Sequence, residues 1–275
     1  MCQLLGMNSS KPATLDFSFA GFAERGGRTG EHRDGWGIAF HEAAGCRLIT
    51  DGLPSSASPL AAGLKHNVRH DAFRARNVVA HIRKATQGEI APRNSHPFTR
   101  SLWGSTWSFA HNGNLEGFHP DANEHFQPDG ETDSERAFCS LLAGLRRRFG
   151  VHRPSRQALF DAVAAMAFDV ARHGSFNFIL SDGELLLAHC STDLHYVVRE
   201  YPFTKASLVD CDVQIDFGRH NHLDDRMAVI ATLPLTSGEV WRAFEPGELK
   251  MFVHGAPFAP SHHDGAARSC LQVSC

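Results

Sequence analysis

Apolar residues recur along this chain in two rhythms, and the rhythms sort it into strands and helices. Cys2 to Gly6 is a short apolar run, followed by a polar turn and a helical segment near Leu15 to Glu24. Gly37 to His41 and Cys46 to Asp51 read as a hairpin joined through an Ala44–Gly45 turn. Pro59 to Asn67 fits a helix, and Asn77 to Arg83 (NVVAHIR) fits a buried strand. A further strand, Ser105 to Ala110, delivers His111, Asn112 and Gly113 onto what should be a turn, since Asn–Gly is a common tight-turn pair.

Two amphipathic helices follow. Thr132 and Glu135 have capping-box spacing, and Ala137, Phe138, Leu141, Leu142 and Leu145 form one apolar face behind them. Asp133 then stands at the first helical position, where its charge suits the helix dipole. The second helix, Arg156 to His173, carries Leu159, Val163, Met166 and Val170 on one side. After it come Phe176 to Ser181, an Asp182–Gly183 hairpin signal, and Leu185 to Cys190. His195 to Arg199, Val213 to Phe217, Met227 to Ala231, Val240 to Arg242 and Leu249 to Val253 complete a strand-rich second half. No repeat or long linker interrupts residues 2–254, which are expected to form one domain, and 255–275 reads as a flexible tail rich in Pro, Ala, Ser and Gly.

Charge and composition narrow the classes. A formal net charge of −3 leaves no basic footprint for nucleic acid, and the Arg146–Arg148 tract falls at a helix end where it complements the dipole. No run approaches the ~18 apolar residues of a membrane span, and no secretory leader pattern opens the chain. The expected setting is cytoplasmic. The seven cysteines include no CxxC pair, which points to reduced thiols and away from structural zinc. Among 18 histidines, His220 and His222 with Asp224 and Asp225 make the best metal candidate, and a polar inter-strand loop explains them equally well. No metal and no cofactor is expected.

Cys2 is the residue with the most specific chemistry. Removal of Met1 would leave a thiol and an α-amine on one residue, with ordinary pKa values of about 8.5 and about 7.7–8.0, so the amine can take the thiol proton near neutrality. Arg83 closes an apolar strand without an acidic neighbour in sequence, which calls for an anionic partner in space. Gly26, Gly27, Gly30, Gly35 and Gly37 give a loop able to approach a ligand closely, with Trp36 either a core residue or a lid.

Taken together, Cys2, HIRKATQGE at 81–89, AHNGNLEG at 110–117 and GETDSE at 130–135 resemble the class II glutamine amidotransferases, over about Cys2 to His254. The glycine loop and the SHPF segment at Ser95–Phe98 resemble the stand-alone bacterial branch of that family. The resemblance implies an α+β, four-layer αββα sandwich of two antiparallel sheets flanked by helices, the N-terminal-nucleophile hydrolase fold. It further implies that Cys2 is nucleophile and, through its amine, general base. Asn112 and Gly113 would form the oxyanion hole, Arg83 would bind the substrate carboxylate and Asp133 its ammonium, and Thr86 would help to orient glutamine. Lys84 stands where large synthases carry an aromatic residue, and Gln87 where some members have histidine. The implied reaction is hydrolysis of the glutamine amide through a γ-glutamyl thioester, with ammonia passing to a separate protein partner or to solvent. Two other readings remain open: hydrolysis of larger γ-glutamyl amides at the same site, and a non-catalytic binding protein that keeps the fold.

Overall fold

The computed structural model describes residues 2–65, 73–85, 92–121 and 123–259. The chain opens with β1 (Gln3–Ala13), α1 (Asp16–Glu24), β2 (Trp36–Glu42), β3 (Gly45–Asp51), α2 (Pro59–Lys65) and β4 (Ala75–Ile82). It continues through β5 (Phe98–Leu102), β6 (Ser105–Leu115), α3 (Asp133–Phe149), α4 (Arg156–Ala171), β7 (Gly174–Ser181), β8 (Leu185–His189) and β9 (His195–Arg199). The last strands are β10 (Lys205–Leu208), β11 (Gln214–Asp216), β12 (Met227–Ala231), β13 (Thr236–Ser237), β14 (Arg242–Ala243), β15 (Leu249–Val253) and β16 (Ala256–Pro257).

These strands build a seven-stranded sheet, ordered β14-β9-β12-β1-β4-β2-β3, and a six-stranded sheet, ordered β16-β15-β8-β7-β6-β5. A small sheet, β11-β10-β13, lies beside them. Every pairing in them is antiparallel.

Alternation along the strands explains the layering, because successive side chains point to opposite faces. In β1, Leu4 joins Ile179, Leu186, Ile230 and Phe252 between the two large sheets. Its neighbours Leu5 and Met7 join Phe19 and Phe22 of α1 on the outer face. The six-stranded sheet covers its own outer face with α3 and α4, where Phe109 of β6 stacks on Phe138 of α3 at 5.2 Å and 2° between ring planes. Helices therefore lie outside both sheets, and the expected α+β sandwich is the architecture found. Gly6 marks how closely the sheets approach, since an added Cβ would sit 3.0 Å from Ile179 Cδ1.

Several boundaries differ from the sequence reading. Asn112 and Gly113 do not form a turn: β6 runs straight through them to Leu115, and each residue pairs with β7, Asn112 opposite Asn177 and Gly113 opposite Phe176. The turn chemistry of Asn–Gly is overridden because β7 pairs with β6 as far as Leu115. The β2–β3 turn is Ala43–Ala44, with Gly45 already in the strand. Val240 precedes rather than enters its strand, and β5, β10 and β13 were not expected. Gly255 turns the β15–β16 hairpin, so part of the expected tail is paired with the sheet; 260–275 lie outside the described residues. Asp224 and Asp225 are occupied by Lys11, at 2.7 and 3.1 Å.

Candidate active site

Strand alternation gathers three of the candidate residues, Cys2, Arg83 and Asn112, on one space. Cys2 lies two residues before Leu4 and so shares its inter-sheet side. In β4, Val79 lies between the sheets while Val78, Ala80 and Ile82 face the helices, which assigns His81 and Arg83 to the inter-sheet side. In β6, Ala110 is inter-sheet and Phe109 and Leu115 are helix-facing, which assigns Asn112 to the inter-sheet side as well. The β1–β4 register places Gln3 opposite Ile82, so the next step along the two chains sets Cys2 across from Arg83.

The thiol is held by backbone. Lys84 N–H donates to Cys2 Sγ at 3.2 Å, and the thiol donates to Lys84 O at 3.3 Å. Burial raises the Cys2 pKa, opposed by the Lys84 N–H and by the Arg83 cation, while Asp34 adds to the rise. Arg83 is itself buried. Burial pulls its pKa down, and the Cys2 sulfur and Asp34 pull it up.

The glycine loop is fastened to this same bracket. Arg83 N–H donates to Gly35 O at 2.9 Å, Asp34 N–H donates to Arg83 O at 3.3 Å, and Ala85 N–H donates to Asp34 Oδ2 at 2.7 Å. Lys84 Nζ pairs with Glu31 in the loop. Gly35 has φ +99°, and a Cβ there would lie 2.8 Å from Asp51 O, so the turn of this loop requires glycine. Trp36 is not a lid. It is 1% exposed in β2 and packs on Phe19 at 5.6 Å on the helix-facing side, away from Cys2, because strand parity sends it there. Thr86 and Gln87 lie outside the described residues.

The opposite wall comes from β6 and the start of α3. Asn112 is 1% exposed, and neither atom of its amide has a hydrogen-bond partner among the described residues. Its backbone oxygen, by contrast, accepts from Asn177 Nδ2 at 2.9 Å, and the Asn177 side chain also donates to Thr192 Oγ1 and accepts from the Ser191 and Thr192 N–H groups. Gly113 is a close-approach glycine: a Cβ would stand 1.8 Å from Ser175 O and 2.6 Å from His111 Nε2.

Thr132 caps α3 by accepting from Glu135 N–H at 3.2 Å, as its spacing predicted. The Glu135 carboxylate instead accepts from the Asp129 and Gly130 N–H groups and pairs with Arg100 at 2.7 Å. Asp133, at the first helical position, accepts from Leu115 N–H at 2.8 Å and from Ser134 N–H at 2.9 Å. It therefore straps the helix to the strand that carries Asn112.

Three buried histidines belong to this region and were not singled out in the sequence. His111 Nε2 lies 3.0 Å from Ser175 O, which only accepts, so Nε2 carries the proton and Nδ1 accepts from Ser134 Oγ at 2.8 Å. His81 and His96 meet edge to face at 4.2 Å between ring centroids. His96 lies against the seven-stranded sheet, its carbonyl so near Gly37 that an added Cβ would come within 2.3 Å. The signal for His81 was available: two residues before Arg83 on a strand, it must share that face. His96 lay within the SHPF segment, but its place against the seven-stranded sheet depends on the segment before β5.

Residues 1–273 of the 275 match the family model for class II glutamine amidotransferases. The chain belongs to that family. Among its relatives, YafJ of Escherichia coli (strain K12), which bears a glutamine amidotransferase name, is 46% identical over 255 residues, spanning 93% of this chain and 98% of that one. A Haemophilus influenzae protein with the same family name is 48% identical over 261 residues, spanning 94% and 86%. The crystal structure of a predicted glutamine amidotransferase from Pseudomonas aeruginosa PA01 superposes with TM-score 0.71 at 38% identity, covering 94% of this chain and all of that one. Glutamine phosphoribosylpyrophosphate amidotransferase of B. subtilis, at 16% identity and TM-score 0.55, shares the fold.

Class II glutamine amidotransferases hydrolyse the side-chain amide of glutamine with an N-terminal cysteine, and this chain is an enzyme of that class. Among its described residues no helix is long and apolar enough to cross a membrane.

Proposed function

We propose that this enzyme releases ammonia from glutamine through a γ-glutamyl thioester on Cys2, once Met1 has been removed. The observation that carries the reading is the Asn112 amide, buried, unpartnered among the described residues and facing the space onto which Cys2 and Arg83 open. A buried amide left without partners costs about 1–3 kcal/mol. An oxyanion offers it the partner that the fold withholds.

In this mechanism the Cys2 α-amine takes the thiol proton, and sulfur attacks the δ-carbonyl carbon. The carbonyl oxygen becomes an oxyanion held by Asn112 Nδ2–H and Gly113 N–H. The intermediate collapses by breaking the C–N bond, and the protonated amine gives its proton to the departing ammonia. Water then adds to the thioester with the same amine as base, the C–S bond breaks, and glutamate leaves. Arg83 binds the substrate α-carboxylate with its planar fork. Asp133, whose two oxygens keep lone pairs beyond the two backbone bonds described above, receives the α-ammonium. Thr86 is proposed to help orient the substrate. Ammonia leaves to a separate acceptor protein or to solvent.

The test is mass spectrometry of active enzyme with a glutamine-analogue electrophile, alongside glutamate release from glutamine. One adduct on a terminal Cys2, and no glutamate from Cys2→Ala, are expected. Full activity with Met1 retained overturns the mechanism. A preference of about a hundredfold, or about 2.7 kcal/mol, for larger γ-glutamyl amides over free glutamine would replace glutamine with those amides as the substrate.

A further inference from the structure

His81 and His96 are the buried polar groups that the mechanism above leaves unused. His81 is 1% exposed, and neither of its ring nitrogens, nor His96 Nδ1, makes a well-formed hydrogen bond among the described residues, although the His111 main chain lies near enough to act on both rings. The other buried histidines of the sandwich are fastened: His41 to Ser108 Oγ at 2.7 Å, His111 to Ser134 and Ser175, and His189 to Phe176 O at 2.7 Å. Two adjacent rings with unmatched nitrogens mark a place built for a small polar guest, since buried polar groups in folded proteins find a protein or water partner.

The location says which guest. His81 shares the inter-sheet side with Arg83, one strand repeat away, and is paired across the ladder with Leu4, two residues beyond Cys2. Diagonal neighbours on one face of an antiparallel pair lie about 7–8 Å apart, a separation that one hydrogen-bonded water can bridge. Burial keeps both rings neutral, the His81 pKa pushed down to about 3 and that of His96 well below its ordinary value. A neutral imidazole offers one lone pair and one N–H. It can accept a hydrogen bond from water while leaving the oxygen lone pair directed at a carbon. Asn112 Oδ1, unmatched on the facing wall, is a further acceptor for a guest that needs two to four polar partners.

We propose that His81 and His96 are positioning residues for the water that hydrolyses the γ-glutamyl thioester. The inference rests on the Cys2 thioester reading. His81 accepts one water hydrogen and His96 donates its N–H to the water oxygen, both rings keeping their protonation state, so the second water hydrogen is free for the Cys2 α-amine. Water oxygen forms the new C–O bond, its proton passes to the Cys2 α-amine, the C–S bond breaks, and the amine's proton returns to the thiolate.

The experiment separates acylation from deacylation. His81→Leu and His96→Leu enzymes are mixed with glutamine, quenched, and weighed intact, while a glutamine-analogue electrophile measures attack by Cys2. Electrophile labelling at the wild-type rate is expected, with the γ-glutamyl adduct accumulating on Cys2 and glutamate release falling about tenfold to hundredfold. Added hydroxylamine, which attacks the thioester without a held water, should restore turnover as γ-glutamyl hydroxamate. His81→Gln, which keeps an acceptor in place, should deacylate close to wild type and serves if the leucine variants fold poorly. Unchanged glutamate release, loss of activity without adduct, or equal deacylation defects in the Gln and Leu variants overturns the proposal. If wild-type Cys2 never labels with the electrophile, the thioester reading itself fails.

Discussion

The Cys2 sulfur is bracketed by the main chain of a single residue, Lys84, whose N–H lies 3.2 Å and whose carbonyl oxygen lies 3.3 Å from it. The grip does not use the lysine side chain, which reaches away to Glu31 as an exposed pair. Surface pairs of this kind contribute about 0–1 kcal/mol. Lys84→Ala should therefore leave the rate of Cys2 alkylation close to wild type. Lys84→Pro removes the N–H and should slow it by about tenfold, the equivalent of one hydrogen bond. Equal rates for the two variants would refute the backbone grip.

Arg83 offers a test of geometry rather than charge. Lysine keeps the cation but loses the planar fork that a carboxylate fits bidentately. Arg83→Lys should raise KM for glutamine by about tenfold to hundredfold, or about 1.4–2.7 kcal/mol, with kcat changed much less. Steady-state kinetics decide it; a fall in kcat alone would place Arg83 outside substrate binding.

Asn112 and Gly113 should separate activity from stability. The Asn112 amide makes no protein hydrogen bond among the described residues, so Asn112→Ala should leave Tm almost unchanged while kcat drops about a hundred- to a thousandfold. Gly113→Ala pushes a methyl group to within 1.8 Å of Ser175 O and should destabilise by about 1–3 kcal/mol or more. Thermal melts and glutaminase assays of the two variants supply the comparison. A large Tm loss in Asn112→Ala would mean that the amide is structural.

The buried histidines predict an acid limit. Burial lowers the pKa of His41 to about 4 and of His81 to about 3, and lowers those of His96, His111 and His189. In the unfolded chain these rings titrate near 6.5, so the unfolded state binds more protons below that pH. Their contribution to stability is complete above about 6.5 and declines as pH falls toward the folded-state values, by about 1.36 kcal/mol per pH unit for each ring. Urea midpoints should drop steeply between pH 7 and pH 5. A flat profile there would contradict neutral buried rings.

Much of this protein was legible before folding. The apolar run with Arg83 two residues beyond His81, the Thr132 cap that starts α3, and the strands His195–Arg199, Met227–Ala231 and Leu249–Val253 follow from local periodicity and capping, which a short stretch specifies by itself. The reading of Asn112–Gly113 as a turn failed for a nonlocal reason: β7 pairs with β6 from Ser108 to Leu115, and strand pairing outweighs a dipeptide preference. Trp36 was ambiguous from sequence, and only its parity within β2, fixed by pairing with β3 and β4, sends it into the helix-facing core.

The sequence by itself determined which chemical groups are present: a thiol at position 2, the fork of Arg83, the amide of Asn112 and the carboxylate of Asp133 at a helix start. Tertiary structure alone decided what surrounds them. Lys84 closes on the thiol, Asp34 anchors the bracket, Asn177 pins the backbone of Asn112, and His81 and His96 meet beside the site. The physical reason is that each of these contacts joins segments that sequence places far apart, so strand register and the stacking of the two sheets decide it rather than local propensity.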